Sequence, residues 1–175
     1  MNHPIAIFHH SVYFMDTEDT PLPAAANIVR EQIDEATASG LLAAANEFHA
    51  GVNGGDESRA IASLVLPCNA RIVMHGLQCK NECRTIRMIE EWLPGHQDWY
   101  VLYFHAKGAT HPPGDGFSGT WRRCMMKHNV TNWKRCVSDL NAGCDAVGVH
   151  WMIPPATPVG QHIFAGTFYW AKASY

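Results

Sequence analysis

Long apolar runs are the first thing this chain lacks. No stretch approaches the ~20 apolar residues that a membrane helix needs, and residues 1–8 have neither the basic flank nor the apolar core of a secretory leader. The expectation is a cytoplasmic protein with no membrane span. A dominant charge is missing as well: 13 Lys and Arg against 16 Asp and Glu leave a net charge of -3. No global field would therefore draw the chain to nucleic acid or to an anionic membrane, and an anionic ligand must be held by a local cluster. The six cysteines (Cys68, Cys79, Cys83, Cys124, Cys136 and Cys144) include no Cys-x-x-Cys pair. In a cytoplasmic chain they read as reduced thiols and not as a disulfide frame.

What is present is apolar content, 47% of 175 residues. That suffices for one core and is short for two, so residues 1–175 are expected to form a single domain. The most strand-like run is Trp99-Tyr100-Val101-Leu102-Tyr103-Phe104, which breaks off into His105-Ala106-Lys107-Gly108. Its continuous apolar order suits a strand buried on both faces, as in a parallel sheet covered by helices.

Further strands are expected at residues 4–8, 47–52, 71–74, 146–151 and 162–170. Helical spacing marks residues 25–36, stopped by Gly40, and residues 81–93, stopped by Pro94-Gly95. Leu41 to Ala45 reads as a short helix, and residues 60–66 are ambiguous between helix and strand. Residues 109–119 and 154–160 read as irregular loops. Two helical faces follow residue 120, with Asn129 as a cap between them. Alternating strands and helices argue for an α/β fold with a mostly parallel sheet flanked by helices.

In such sheets ligands bind outside the carboxyl ends of the strands. The expected ends read His9-His10, Asn53, His75, His105 with Lys107, and His150. A strand leaving a core must become polar, so each histidine alone has a competing reading as a hydrogen-bonded structural group. Their repetition points to a shared polar rim centred on His105 and Lys107.

Several motifs carry a resemblance. The run LYFHAKG (residues 102–108), TWRR (120–123), the pair His150-Trp151 and IFAGTFYWAK (163–172) resemble the skeleton of glycosyltransferase-like proteins related to rhamnan synthesis protein F. EQI (31–33), SGL (39–41) and GVNGG (51–55) are similar to the same group, so the likeness spans nearly the whole chain as short motifs in order. It implies a GT-A-like, Rossmann-related nucleotide-sugar fold. It also implies transfer of a sugar from a UDP-, GDP- or dTDP-linked donor to a glycan or other hydroxyl acceptor, in polysaccharide or cell-surface glycan synthesis.

GT-A enzymes commonly end the equivalent strand with Asp-x-Asp, which holds a divalent ion against the donor diphosphate. Here that place carries His105-Ala106-Lys107. The expectation is therefore metal-independent transfer with no cofactor, a fixed ammonium, imidazole and guanidinium balancing the diphosphate charge. Lys107 would pair with the diphosphate, His105 would donate a hydrogen bond or proton to it, and Arg122 or Arg123 would fork a phosphate.

The flat faces of Trp121, Trp151 and Trp170 are candidates for a sugar or a base, against a competing reading as core. Asn53 is a candidate for a nucleobase or a turn residue, and Glu82 and Thr85 for a ribose or the helix start. Gly166-Thr167 would let a ligand approach the backbone. Asp115 is the candidate catalytic base.

The chain stops soon after GTFYW, beyond which GT-A enzymes often place the base. That leaves three expectations open: an unidentified carboxylate, a missing base, or a longer protein. Two other functional classes remain. One is a non-catalytic nucleotide- or glycan-binding module of the same fold. The other is a zinc protein using Cys68, His75, Cys79 and Cys83, against which stand the lack of a Cys-x-x-Cys pair and the helical placement of Cys83.

Overall fold

The computed structural model describes residues 3–14, 21–76, 82–111, 116–152 and 163–175. In chain order the elements are β1 (Ile5–Val12), α1 (Ala25–Ala38), α2 (Leu41–Ala44), β2 (Glu47–Asn53), α3 (Asp56–Val65), β3 (Arg71–Met74), α4 (Cys83–Trp92) and β4 (Tyr100–His105). There follow α5 (Gly116–Met126), a π-helical turn (Lys127–Thr131), α6 (Trp133–Asn141), β5 (Ala146–Gly148), β6 (Trp151–Met152), β7 (Ile163–Phe164) and β8 (Tyr169–Lys172).

Six strands form one sheet in the order β3-β2-β1-β4-β8-β5, and β6 and β7 form a separate ribbon. β1 pairs in parallel with β2 and β4, and β2 with β3, whereas β8 runs antiparallel to both of its neighbours. This is the expected α/β architecture with a mostly parallel sheet flanked by helices.

Strand register divides the side chains between two faces. Ala6, Phe8 and His10 stand beside Val101, Tyr103 and His105 and face α4. Ile7 and Leu102 turn to the other face, where they meet Trp170 and the buried residues of α1, α3, α5 and α6. Burial of Leu102, Phe104 and Trp170 there contributes roughly 2 kcal/mol for each side chain.

Several boundaries differ from expectation. β1 does not end at residue 8 but continues to Val12, so His9 and His10 lie inside the sheet and are buried. The stretch 60–66, ambiguous in sequence, is the end of helix α3 (Asp56–Val65) and its C-cap Leu66. α5 begins at Gly116, within the expected loop. Asn129 is not a cap: it sits in the π-helical turn, and its Nδ2 donates to Met125 O at 3.0 Å.

The expected strand 146–151 breaks at His150, whose φ is +57°. The expected strand 162–170 breaks at a turn through Gly166 and Thr167 (φ +91° and +56°). His162 and the expected loop at 154–160 lie outside the described residues. Among the described residues no helix is long and apolar enough to cross a membrane.

Candidate functional site

The chain runs outward from β1 through β2 to β3 and then returns to β4 on the other flank of β1. That reversal makes the β1/β4 boundary the switch point, where the carboxyl ends of parallel strands leave a crevice. Ala106 N–H donates to His10 O at 3.0 Å, which carries the β4 chain just past the sheet edge. Two tight turns follow: Lys107 N–H donates to His105 O at 2.7 Å and Ala109 N–H to Ala106 O at 3.1 Å.

His105 is backed by a carboxylate. Its Nδ1 lies 2.9 Å from Glu82 Oε2. The same carboxylate accepts from Tyr103 Oη at 2.7 Å and from Thr167 Oγ1 at 3.1 Å. Burial pushes the Glu82 carboxyl up, but the hydrogen bond and charge of His105 and the donors Tyr103 and Thr167 outweigh it, holding the group down at about 2. A carboxylate bonded at Nδ1 fixes that nitrogen as the donor and turns Nε2 outward as the second functional atom. Among the described residues Nε2 has no hydrogen-bond partner.

Thr167, which bonds Glu82, has a backbone φ of +56°. A β-branched residue there is a true outlier and stores strain. Gly166, one residue earlier, packs against α5: a Cβ added to it would lie 2.5 Å from Met125 Sδ and 3.3 Å from Trp121 Cε2. The Gly166–Thr167 turn thus joins Glu82 and His105 to a second group around Trp121. There Lys107 Nζ stands 4.6 Å from the centroid of the Trp121 ring, a cation–π contact. The Trp121 Nε1 is buried without a partner.

A third group lies between β1, β2, β3 and α4. The Thr85 hydroxyl is 2.8 Å from His10 Nδ1 and 3.0 Å from His75 Nε2. One hydroxyl donates to one ring and accepts from the other, which locks the two imidazoles in complementary tautomers. Burial, then the charges of His105 and His9, push His10 down to about 3, and burial with the Arg84 charge lowers His75. Gly51 is required beneath them, because an added Cβ would collide with Thr85 Oγ1 and His75 Nε2.

Asn53, at the carboxyl end of β2, is 5% exposed, yet neither amide atom has a hydrogen-bond partner. Buried polar groups are normally satisfied, so an orphaned amide at the ligand-binding end of a sheet marks a place for a ligand's donor and acceptor.

Residues 9–175 match the family described as a domain of unknown function, DUF8361. The chain belongs to that family. No curated protein matches it in sequence.

Among solved structures it is similar to 4-diphosphocytidyl-2C-methyl-D-erythritol synthase, with a TM-score of 0.50 and 10% identity over 99% of this chain and 77% of that one. It is also similar to CMP:2-keto-3-deoxy-manno-octonic acid synthetase complexed with CTP, with a TM-score of 0.46 and 8% identity over 97% and 74%. At such identities the first likeness shows the fold and nothing finer.

Within this DUF8361 chain the remaining sequence candidates divide clearly. Glu82 does not cap its helix and instead holds His105. Thr85 is fully buried between two histidines and does not face a ribose. His9 turns to the opposite face from His10. Its Nε2–H donates to Gln32 Oε1 at 3.2 Å, its Nδ1 accepts from Ser11 Oγ at 2.8 Å, and burial pushes it down to about 4. His9, His10 and His75 are therefore satisfied buried groups and not open ligands.

Arg122 donates to Lys107 O at 2.8 Å and stands 3.6 Å from Glu31 Oε2, so it fixes the turn that carries Lys107. Arg123 bonds Thr120 on its own helix, at the surface. Trp170 is fully buried and donates to Asn129 O at 2.8 Å, so its face belongs to the core. Gly166 approaches Met125 and Trp121, not an open surface.

His150 lies 6.0 Å from the Trp121 ring, and Trp151 is exposed on the β6–β7 ribbon against Phe164. Asp115 and Cys79 lie outside the described residues. Of the suggested zinc ligands, Cys68 and Cys83 are exposed and His75 is bonded to Thr85. Among the described residues no group of three or more His, Cys, Asp or Glu has the geometry to hold a metal ion.

Three positioning residues escaped the sequence reading. Tyr103 and Tyr169 lie on the Glu82 face, and Gln32 Nε2 donates to His105 O at 2.9 Å. Tyr103 was signalled by strand alternation, being two residues before His105, and Gln32 by its place in the EQI motif.

Proposed function

We propose that this protein is a nucleotide-sugar-dependent glycosyltransferase that works without a bound metal ion. The observation that carries the reading is the Glu82–His105 pair at the carboxyl end of β4, beside the switch point and two residues before Lys107. In this reading His105, expected from the sequence to donate to the diphosphate, is instead the base, the role for which the sequence offered Asp115. The acceptor hydroxyl gives its proton to His105 Nε2 while its oxygen attacks the anomeric carbon. The bond from that carbon to the diphosphate breaks, and the departing oxyanion is balanced by the Lys107 ammonium. Glu82 stabilises the imidazolium that forms, as a carboxylate behind a histidine does in other proton-transfer sites. Asn53 offers its unbonded amide to the base of the nucleotide. The motif likeness to the rhamnan-synthesis group supports the reading, and a fold shared with a protein named for a diphosphocytidyl compound adds cytidine to the bases to be tried.

The test is a panel of thermal melts with UDP-, GDP-, dTDP- and CDP-linked sugars in the presence of EDTA. One base is expected to raise Tm by about 5 °C at a hundredfold excess over Kd, and the shift is expected to vanish when His105 and Lys107 are both replaced by alanine. No shift with any donor, or an undiminished shift in the double variant, would remove the proposal.

A further inference from the structure

Helical cover of the sheet is uneven. α1, α3, α5 and α6 pack on one face, whereas α4 is the one helix among the described residues that packs on the other. It lies over β1 and β2. Beside it, over β4, β8 and β5, is a cavity of about 450 Å³ bounded by Ile89 of α4 and its C-cap Leu93, Val101 and Ala171 of the sheet, and Phe164 of β7. Its size is that of a small-molecule site. The walls are mostly aliphatic and aromatic, with Glu90 and Lys172 also on the lining, and Trp151 and Ile163 stand exposed along its rim.

The inner end differs in kind. Thr167 both lines the cavity and donates to Glu82. Tyr169 also lines it, and burial, with the Glu82 charge second, raises its phenol. Thr167 therefore stands between the apolar space and the carboxylate that holds His105. A glycan seated there would set most of its hydroxyls against apolar wall, with Glu90 and Lys172 the charged groups on the lining, whereas a molecule with an apolar body and one polar end matches both regions.

We propose that this cavity is the acceptor subsite and takes an alcohol with an aryl or isoprenoid body, whose hydroxyl passes Thr167 to reach the Glu82–His105 pair. The inference rests on the glycosyl-transfer reading of that same site and narrows its acceptor. The chemistry balances as before: the alcohol loses its proton to His105 Nε2, gains the glycosyl carbon, and the nucleoside diphosphate leaves with the electron pair. Ala171, paired with Val101 across β4 and β8, sets the depth of the floor.

Calorimetric titration of 2-naphthol, farnesol and maltotriose tests it, with the nucleotide-sugar melt run separately on the same protein. Binding of naphthol identifies the aryl class and binding of farnesol the isoprenoid class. In either case Ala171→Phe is expected to weaken the alcohol by about tenfold or more while leaving the nucleotide-sugar shift in place, which shows that the variant is folded. Ile163→Ser, on the exposed rim, serves the same purpose if Ala171→Phe does not fold. Absence of alcohol binding in a protein that still responds to a nucleotide sugar would overturn this inference and leave the glycosyl-transfer reading standing. Preference for maltotriose, or a dimer in light scattering that Ile163→Ser dissociates, would overturn it too. Alcohol binding with no response to any nucleotide sugar would overturn the acceptor role together with the reading beneath it.

Discussion

At the scale of single residues, the decisive contacts are made by side chains distant in sequence. Glu82 gathers His105, Tyr103 and Thr167, and a neutral amide in its place would keep the shape but lose the charge that supports an imidazolium. Under the proposed glycosyl transfer, Glu82→Gln is expected to bind the donor as before and to turn over about a hundredfold more slowly or worse; equal turnover would remove Glu82 from the proposed mechanism. Thr167→Gly relieves a left-handed threonine but deletes its hydroxyl. The expected outcome is little change in Tm, because relief of strain and loss of the bond oppose one another, with reduced turnover under the proposed glycosyl transfer. Gly51→Ala drives a methyl into Thr85 and His75 and is expected to cost about 1–3 kcal/mol in urea denaturation.

At the scale of elements, short motifs that were mere coincidences of order in the sequence acquire separate physical reasons. In EQI, Glu31 pairs with Arg122, Gln32 ties His9 to the end of β4, and Ile33 fills the core. In SGL, Ser39 O accepts from Trp133 Nε1, Gly40 takes a φ of +77° to end α1, and Leu41 is buried. The π-helical turn between α5 and α6 is tied down by Trp170, whose Nε1 meets Asn129 O. Trp170→Phe leaves that buried carbonyl without its donor, and a loss of about 1–3 kcal/mol in the denaturation midpoint is expected; an unchanged midpoint would show that the turn stands without it.

For the whole molecule, the consequence is sensitivity to acid. His9 and His10 are neutral in the fold, held down to about 4 and 3, while the unfolded chain binds a proton near pH 6.5. Between those values the unfolded state carries the extra proton, so stability is full above about pH 6.5 and falls as pH drops. Each of the two costs up to about 1.4 kcal/mol per pH unit in that window. Glu82, held down at about 2, adds a loss of the same sign below its unfolded value of 4.5. Tm measured from pH 8 to 4 should stay level and then fall from about pH 6, and His10→Asn should flatten the fall; a level curve to pH 5 would contradict the burial of neutral imidazoles.

Composition and periodicity by themselves determined the α/β class, the central run from Tyr100 to Phe104 with its exit at His105, and the helices around Val29 and Ile89, because apolar order and helical spacing are local properties of the chain. Tertiary structure alone decided that His9 and His10 are interior. Their hydrogen-bond partners, Gln32 and Thr85, stand 23 and 75 positions along the chain, and a polar side chain reads as a strand exit until the group that satisfies it is known. The partnership of Glu82 with His105 across 23 residues, and the bend that brings Thr167 to both, were settled the same way: by folding, which sets the distances between charges that the sequence leaves free.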